Sequence, residues 1–211
     1  MGLGAAVRRR LGPLESPAAE AYRSIFIDLR RFADRLAARR SAERILEIGC
    51  GDGSTADQLC RAFPNAEYVG IDVAPDPGRR CGVSPERTSF SAITSSDLRR
   101  TGPQPFSLVV LVDVLHHIPD DADRRTVLAD AVAMTEPGGT LVIKEWSGHR
   151  SLGYGLAYAA DRYVSGDRDV RFTTEAELMA LFEDALPGWT VAWRDVVRPW
   201  ANNIVLALER R

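Results

Sequence analysis

Short apolar runs, each closed by a turn, alternate along this chain with stretches whose apolar residues recur at helical spacing. The first clear run is Ile45-Leu46-Glu47-Ile48. It breaks at once into Gly49-Cys50-Gly51-Asp52-Gly53, and a helix start comes directly after it at Ser54. That helix is predicted over 54–63, with Pro64-Asn65 as its stop. Glu67–Asp72 reads as a second strand that ends in a carboxylate. Residues 75–87 hold three prolines and two glycines, which favours a loop. A strand near Thr88–Ala92 is only faintly patterned. Phe106–Asp113 is a clear buried strand. Val127, Leu128, Ala131 and Met134 line one side of a helix predicted over 120–135. Pro137-Gly138-Gly139 predicts a turn before a strand over Thr140–Glu145. Thr174-x-x-Glu177 is a capping box that opens a helix to about Leu186. Strands near 189–196 and 203–209, parted by Arg198-Pro199-Trp200-Ala201, predict a hairpin. Upstream, Ile25, Leu29, Phe32 and Leu36 mark one face of a helical stretch over 14–40, which must pack on the domain downstream of it. Residues 1–13 are expected to be flexible.

Strands alternating with helices define an α/β fold with a mostly parallel sheet. In such a sheet, ligands bind outside the carboxyl ends of the strands. Glycines at alternate positions let the backbone turn sharply there and approach a ligand closely. A dinucleotide fingerprint needs G-x-G-x-x-G. Here Ser54 stands where its third glycine belongs, which disfavours a nicotinamide oxidoreductase. Asp72 lies 21 positions after Gly51, near the ~20-residue offset at which an acid bonds a ribose.

Glu47-Ile48-Gly49-Cys50-Gly51-Asp52-Gly53 resembles motif I of the class I S-adenosylmethionine (SAM)-dependent methyltransferases. Three further blocks resemble that family in order: the acidic strand end at Asp72, Asp113-Val114-Leu115-His116-His117-Ile118-Pro119-Asp120, and Glu136-Pro137-Gly138-Gly139-Thr140-Leu141. The resemblance covers roughly residues 43–209. It implies a Rossmann-like seven-stranded, mostly parallel sheet with helices on both faces and a C-terminal β-hairpin. It also implies S-adenosyl-L-methionine as cofactor, held by Glu47, Gly49, Cys50, Gly51, Asp72, Val73, Thr94 and Asp113. Family members often carry an acid after the third strand for the adenine amino group. Here Ile93-Thr94-Ser95-Ser96-Asp97 stands in that place, so Thr94, Asp97 or backbone groups are the candidates.

Composition narrows the classes. Net charge is −2, with no basic stripe, so nucleic acid is not an expected partner. No run of 18 apolar residues exists, so no membrane span is expected. Three cysteines without CxxC spacing fit reduced thiols and a cytoplasmic protein. Of the 27 basic residues only Lys144 is lysine; it is expected at a strand end, with snorkelling as its plain role.

All three histidines fall near predicted strand ends on the cofactor side: His116 and His117 after the fourth strand, His149 after the fifth. They are the candidate catalytic residues, because a histidine base removes the proton of a hydroxyl acceptor. For His117 a packing or capping role weighs equally. Three histidines with Glu145 raise the question of a metal. No H-x-x-x-H pair shares a helix, and adjacent His116 and His117 aim poorly at one ion, so no metal is expected. The chain divides into a segment over 1–40, flexible and then a helix that packs on the domain or caps its substrate site, and a SAM-binding domain over 41–211. Within the latter, residues 146–172 form a lid-like insertion, rich in aromatics and glycine, that suits a small, partly apolar acceptor. The expected function is methyl transfer to a small molecule at oxygen, as in metabolite or natural-product tailoring. The alternative is a methyltransferase-fold protein that binds SAM without transferring its methyl group. Oligomeric state stays open.

Overall fold

The computed structural model describes residues 27–83, 85–146, 171, 173–197 and 203–211. His149 and nearly all of the 146–172 insertion lie outside these residues, as do residues 1–26.

The first described helix, α1 (Leu29–Ala37), starts where the Asp28 carboxylate accepts from Arg31 N at 2.9 Å. It buries Phe32, Ala33 and Leu36. β1 (Arg44–Ile48), α2 (Ser54–Ala62), β2 (Glu67–Asp72), β3 (Thr88–Ala92), α3 (Ser95–Arg100) and β4 (Phe106–Val112) come next. A 3₁₀ turn at Leu115–His117 leads into α4 (Asp121–Met134), then β5 (Thr135–Trp146), α5 (Glu175–Ala185), β6 (Trp189–Val196) and β7 (Asn203–Arg210). The capping box expected at Thr174 and Glu177 is present at the start of α5.

Seven strands form one sheet in the order β3-β2-β1-β4-β5-β7-β6. The first five are parallel; β7 runs antiparallel to β5, and β6 to β7. The strand order therefore reverses between β1 and β4, and such a reversal opens a crevice at the carboxyl ends of those strands. Alternation along each strand splits the core in two. Leu46, Ile48, Val109, Leu111, Leu141 and Ile143 pack with Leu128, Met134 and Phe182 on one face. Ile45, Tyr68, Leu108, Val110 and Val142 pack with Phe32, Leu36 and Leu59 on the other.

Pro137-Gly138-Gly139, expected as a turn ahead of the strand, falls inside β5. Pairing with β4 jumps from Phe106↔Thr135 to Leu108↔Thr140. The intervening residues bulge out of the ladder, with Gly138 at φ 80°. The turn chemistry is thus realised as a bulge that lets α4 run directly into β5.

Candidate active site

The glycine turn after β1 is held by β2 and by the loop that succeeds β2. Gly49 N and Cys50 N both donate to Ile71 O, at 2.8 and 3.0 Å. Gly49 has φ 77°, and a Cβ on it would come within 2.5 Å of Val114 Cγ2. The turn can therefore pass this close to the end of β4 only with glycine. Gly78 N donates to Gly51 O at 3.0 Å, and Arg80 N to Asp52 O at 2.8 Å. The proline- and glycine-rich loop thus braces the turn. Asp72 ends β2 with one carboxylate oxygen 2.7 Å from Gly51 N and the other 2.7 Å from Ala74 N.

A cavity of about 570 Å³ opens at these strand ends, lined by Gly49, Asp72, Val73, Ile93, Thr94, Ser95, Ser96, Asp113, Val114, His117, Ile118 and Val127 among others. That volume suits a nucleoside-sized ligand with room beside it. Val73 is 79% exposed beside this cavity, a large apolar side chain for a flat ring to cover. The acid, the glycine that clears the backbone and the apolar flank together fit SAM.

Five of the expected cofactor residues line the cavity: Gly49, Asp72, Val73, Thr94 and Asp113. Glu47, Cys50 and Gly51 lie outside that lining. Glu47 is 1% exposed and accepts a hydrogen bond from the Tyr68 hydroxyl. Burial, first, pushes its carboxyl up to about 8, against hydrogen bonds from Tyr68 and Thr55. It joins β1, β2 and α2 beneath the turn. Cys50 is buried, and burial raises its thiol, so it packs as a neutral group. Gly51 supplies the N–H that holds Asp72. Asp97 is turned back into a capping box with Thr94 and pairs with Arg100.

Beyond β4 the chain reverses through Asp113, which adopts φ 57°. A non-glycine residue in this region marks local strain of the kind found at ligand sites. Lys144 explains it. Its ammonium lies 2.6 Å from both Asp113 oxygens and its side chain is fully buried. It does not snorkel to solvent; it anchors the turn. Next to it, the Glu145 carboxylate accepts from Val114 N and Leu115 N at 2.9 and 2.6 Å and meets His116 Nδ1 at 2.7 Å. Burial would raise the Glu145 carboxyl, but the His116 ring, the Leu115 N–H and Lys144 together hold it below its ordinary value.

The structure thus brings His116 and His117 together, with ring centroids 4.1 Å apart. His117 lines the cavity, whereas His116 is 3% exposed and is not part of that lining. Asp113, His116 and Glu145 also bring ligand atoms within 4.8 Å of one another. The Lys144 ammonium already places a cation on Asp113 there. Sequence reasoning missed Arg124, which is 1% exposed and donates to Ile118 O, Arg171 O and Thr173 Oγ1 at 2.7, 3.1 and 3.2 Å. Arg171 N in turn donates to His116 O at 2.9 Å. A charged residue in a polar stretch of α4 carries no signal of burial. No helix among the described residues is long and apolar enough to cross a membrane.

Comparison with known proteins agrees with this geometry. Residues 46–141 match the family model described as a methyltransferase domain. A ubiquinone biosynthesis O-methyltransferase of Xylella fastidiosa is 28% identical over 183 residues, covering 80% of this chain and 63% of the relative. An uncharacterized methyltransferase of Mycobacterium tuberculosis is 37% identical over 102 residues, 47% of this chain and 48% of the relative. The chain thus spans about half to two thirds of these relatives. In fold it matches the 1,6-didemethyltoxoflavin-N1-methyltransferase of Burkholderia thailandensis, solved with 1,6-didemethyltoxoflavin and S-adenosylhomocysteine. The TM-score is 0.65 at 20% identity, over 98% of this chain and 88% of that one. Residues 46–141 carry a methyltransferase domain, the fold is that of the class I SAM-dependent methyltransferases, and both point to SAM as the cofactor.

Proposed function

We propose that this protein transfers the methyl group of SAM to an oxygen atom of a small-molecule acceptor, with His116 as the base. The observation that carries this reading is the His116–Glu145 pair at 2.7 Å, at the strand ends that border the cofactor cavity. Glu145 is held ionised and can only accept, so the proton of a neutral imidazole stays on Nδ1 and Nε2 is the basic nitrogen. Bound in the cavity, SAM supplies an electrophilic methyl group on a sulfonium.

The chain's own residues then have three tasks. Asp72 holds the ribose hydroxyls, and Gly49 leaves space for the donor. Lys144 and Glu145 fix the turn that separates donor from acceptor. His116, its ring tilted against that of His117, takes the acceptor proton. Arg171 N donates to His116 O, which joins the described end of the 146–172 segment to the histidine turn. The name of the Xylella relative supports oxygen as the methylated atom.

The test is release of S-adenosylhomocysteine from SAM over a panel of small phenols, catechols and amines. His116→Ala is expected to lower kcat ~10²–10⁴-fold on the hydroxyl acceptors and to leave the Kd for SAM within about twofold, since His116 does not line the cavity. Unchanged turnover would remove His116 as the base. Methylation of amines alone would overturn the choice of oxygen.

A further inference from the structure

Thr94, Ser95 and Ser96 come after β3 and form one wall of the cavity. Each hydroxyl gives its single proton to a carboxylate. Thr94 Oγ1 donates to Asp97 Oδ2 at 2.7 Å. Ser95 Oγ and Ser96 Oγ both donate to Asp130 Oδ2, at 2.9 and 2.6 Å. Asp130 reaches them from α4, with its side chain 4% exposed and its other oxygen 3.1 Å from Arg99 Nη1. A hydroxyl has one proton and two lone pairs. Once the proton is committed, the oxygen can only accept. This stretch of wall is therefore built of acceptors, although the exposed Asp97 carboxylate is spent on capping.

Asp72 at the end of β2, the apolar Val73 and Ile93, and the two serines line the same cavity, so a cofactor whose ribose is held at Asp72 would bring its purine to this wall. An adenine edge presents an amino group, a donor, where a 6-oxo purine presents an acceptor. Facing two serine oxygens, the first gains a hydrogen bond and the second sets oxygen against oxygen.

We propose that Asp130 is the positioning residue for base selectivity: through Ser95 and Ser96 it makes the cofactor site take the amino group of adenine and reject a 6-oxo purine. This rests on the assignment of the cavity to SAM. In an Asp130→Asn variant the amide oxygen stays with Arg99, which can only donate, and the amide NH₂ turns to the serines. Their hydroxyl protons are then released toward the cavity, which reverses the wall.

The test is calorimetric binding of S-adenosylhomocysteine and its 6-oxo counterpart, S-inosylhomocysteine, to the full chain. The wild type is expected to prefer the adenosyl compound on the order of 10–100-fold, the worth of one satisfied against one opposed buried group. Ser96→Ala is expected to shrink the ratio about fivefold or more, and Asp130→Asn to bring it to unity or invert it. Asp72→Ala should weaken both ligands and leave their ratio in place. A wild type that does not discriminate, or a ratio unmoved in the Asp130 and Ser96 variants, overturns the proposal. So does a ratio that collapses in Asp123→Asn instead, since that carboxylate also borders the cavity. Binding indifferent to Asp72→Ala would instead refute the cavity assignment. If Asp130→Asn does not fold, the Ser95→Ala/Ser96→Ala double variant decides.

Discussion

Glu47 keeps a proton that most glutamates lose well below neutral pH. Its side chain points from β1 into the packing between sheet and α2, where burial is the main cause that lifts its carboxyl to about 8. In the unfolded chain the group returns to its ordinary value of 4.5. Between those two values the folded state binds one more proton than the unfolded state. Stability contributed by this group is thus fully present below the lower value and falls by ~1.4 kcal/mol per pH unit through the window. Above about 8 the decline ends. Glu47→Gln mimics the neutral form and removes the linkage. Urea denaturation at pH 5.5, 7 and 8.5 should show the variant losing clearly less stability over that range than the wild type. Parallel curves for the two proteins would mean that Glu47 is ionised in the fold.

At the scale of elements, α4 carries two buried charged groups with opposite duties. Asp130 ties it to α3, and Arg124 ties it to the histidine turn and to Arg171 and Thr173 before α5. Arg124→Met keeps an apolar stem but leaves Ile118 O, Arg171 O and Thr173 Oγ1 without this donor. Unpaired buried acceptors cost ~1–3 kcal/mol each, so a loss of about 2–4 kcal/mol is expected. For a chain of this size that lowers Tm by about 5–12 °C. A Tm within a degree of wild type would show that water or another donor replaces the guanidinium. Neither residue was legible in the sequence: Arg124 lies in the charged run Asp121-Ala122-Asp123-Arg124-Arg125, and Asp130 is a lone acid among Val127, Leu128, Ala131 and Val132, with no local pattern that pairs it with Ser95 and Ser96. What was legible had a local cause. The glycine turn needs positive φ, Thr174 and Glu177 cap a helix by spacing alone, and the apolar run of β4 is buried on both sides. Lys144 could be placed at a strand end, but its pairing with Asp113 depends on two strands lying side by side, which no local pattern encodes.

Over the whole molecule, the cavity exists only when β1, β2, β3 and β4 present their carboxyl ends together, since its lining comes from the turns after all four. The unfolded chain has no such site, so a ligand bound there must stabilise the native state as a unit. At a hundredfold excess over Kd the gain is ~2.7 kcal/mol. For a chain of 211 residues, at ~2–4 °C per kcal/mol, this raises Tm by about 5–10 °C. Differential scanning fluorimetry with S-adenosylhomocysteine should show that rise, and Asp72→Ala should shrink it at the same ligand concentration. NAD should leave Tm in place, because Ser54 stands where the dinucleotide turn needs glycine and Asp72 alone does not cradle a pyrophosphate. A shift with NAD equal to that with S-adenosylhomocysteine would break the link between the glycine turn and the methyl donor. A shift with the latter alone would tie the crevice between β1 and β4 to it.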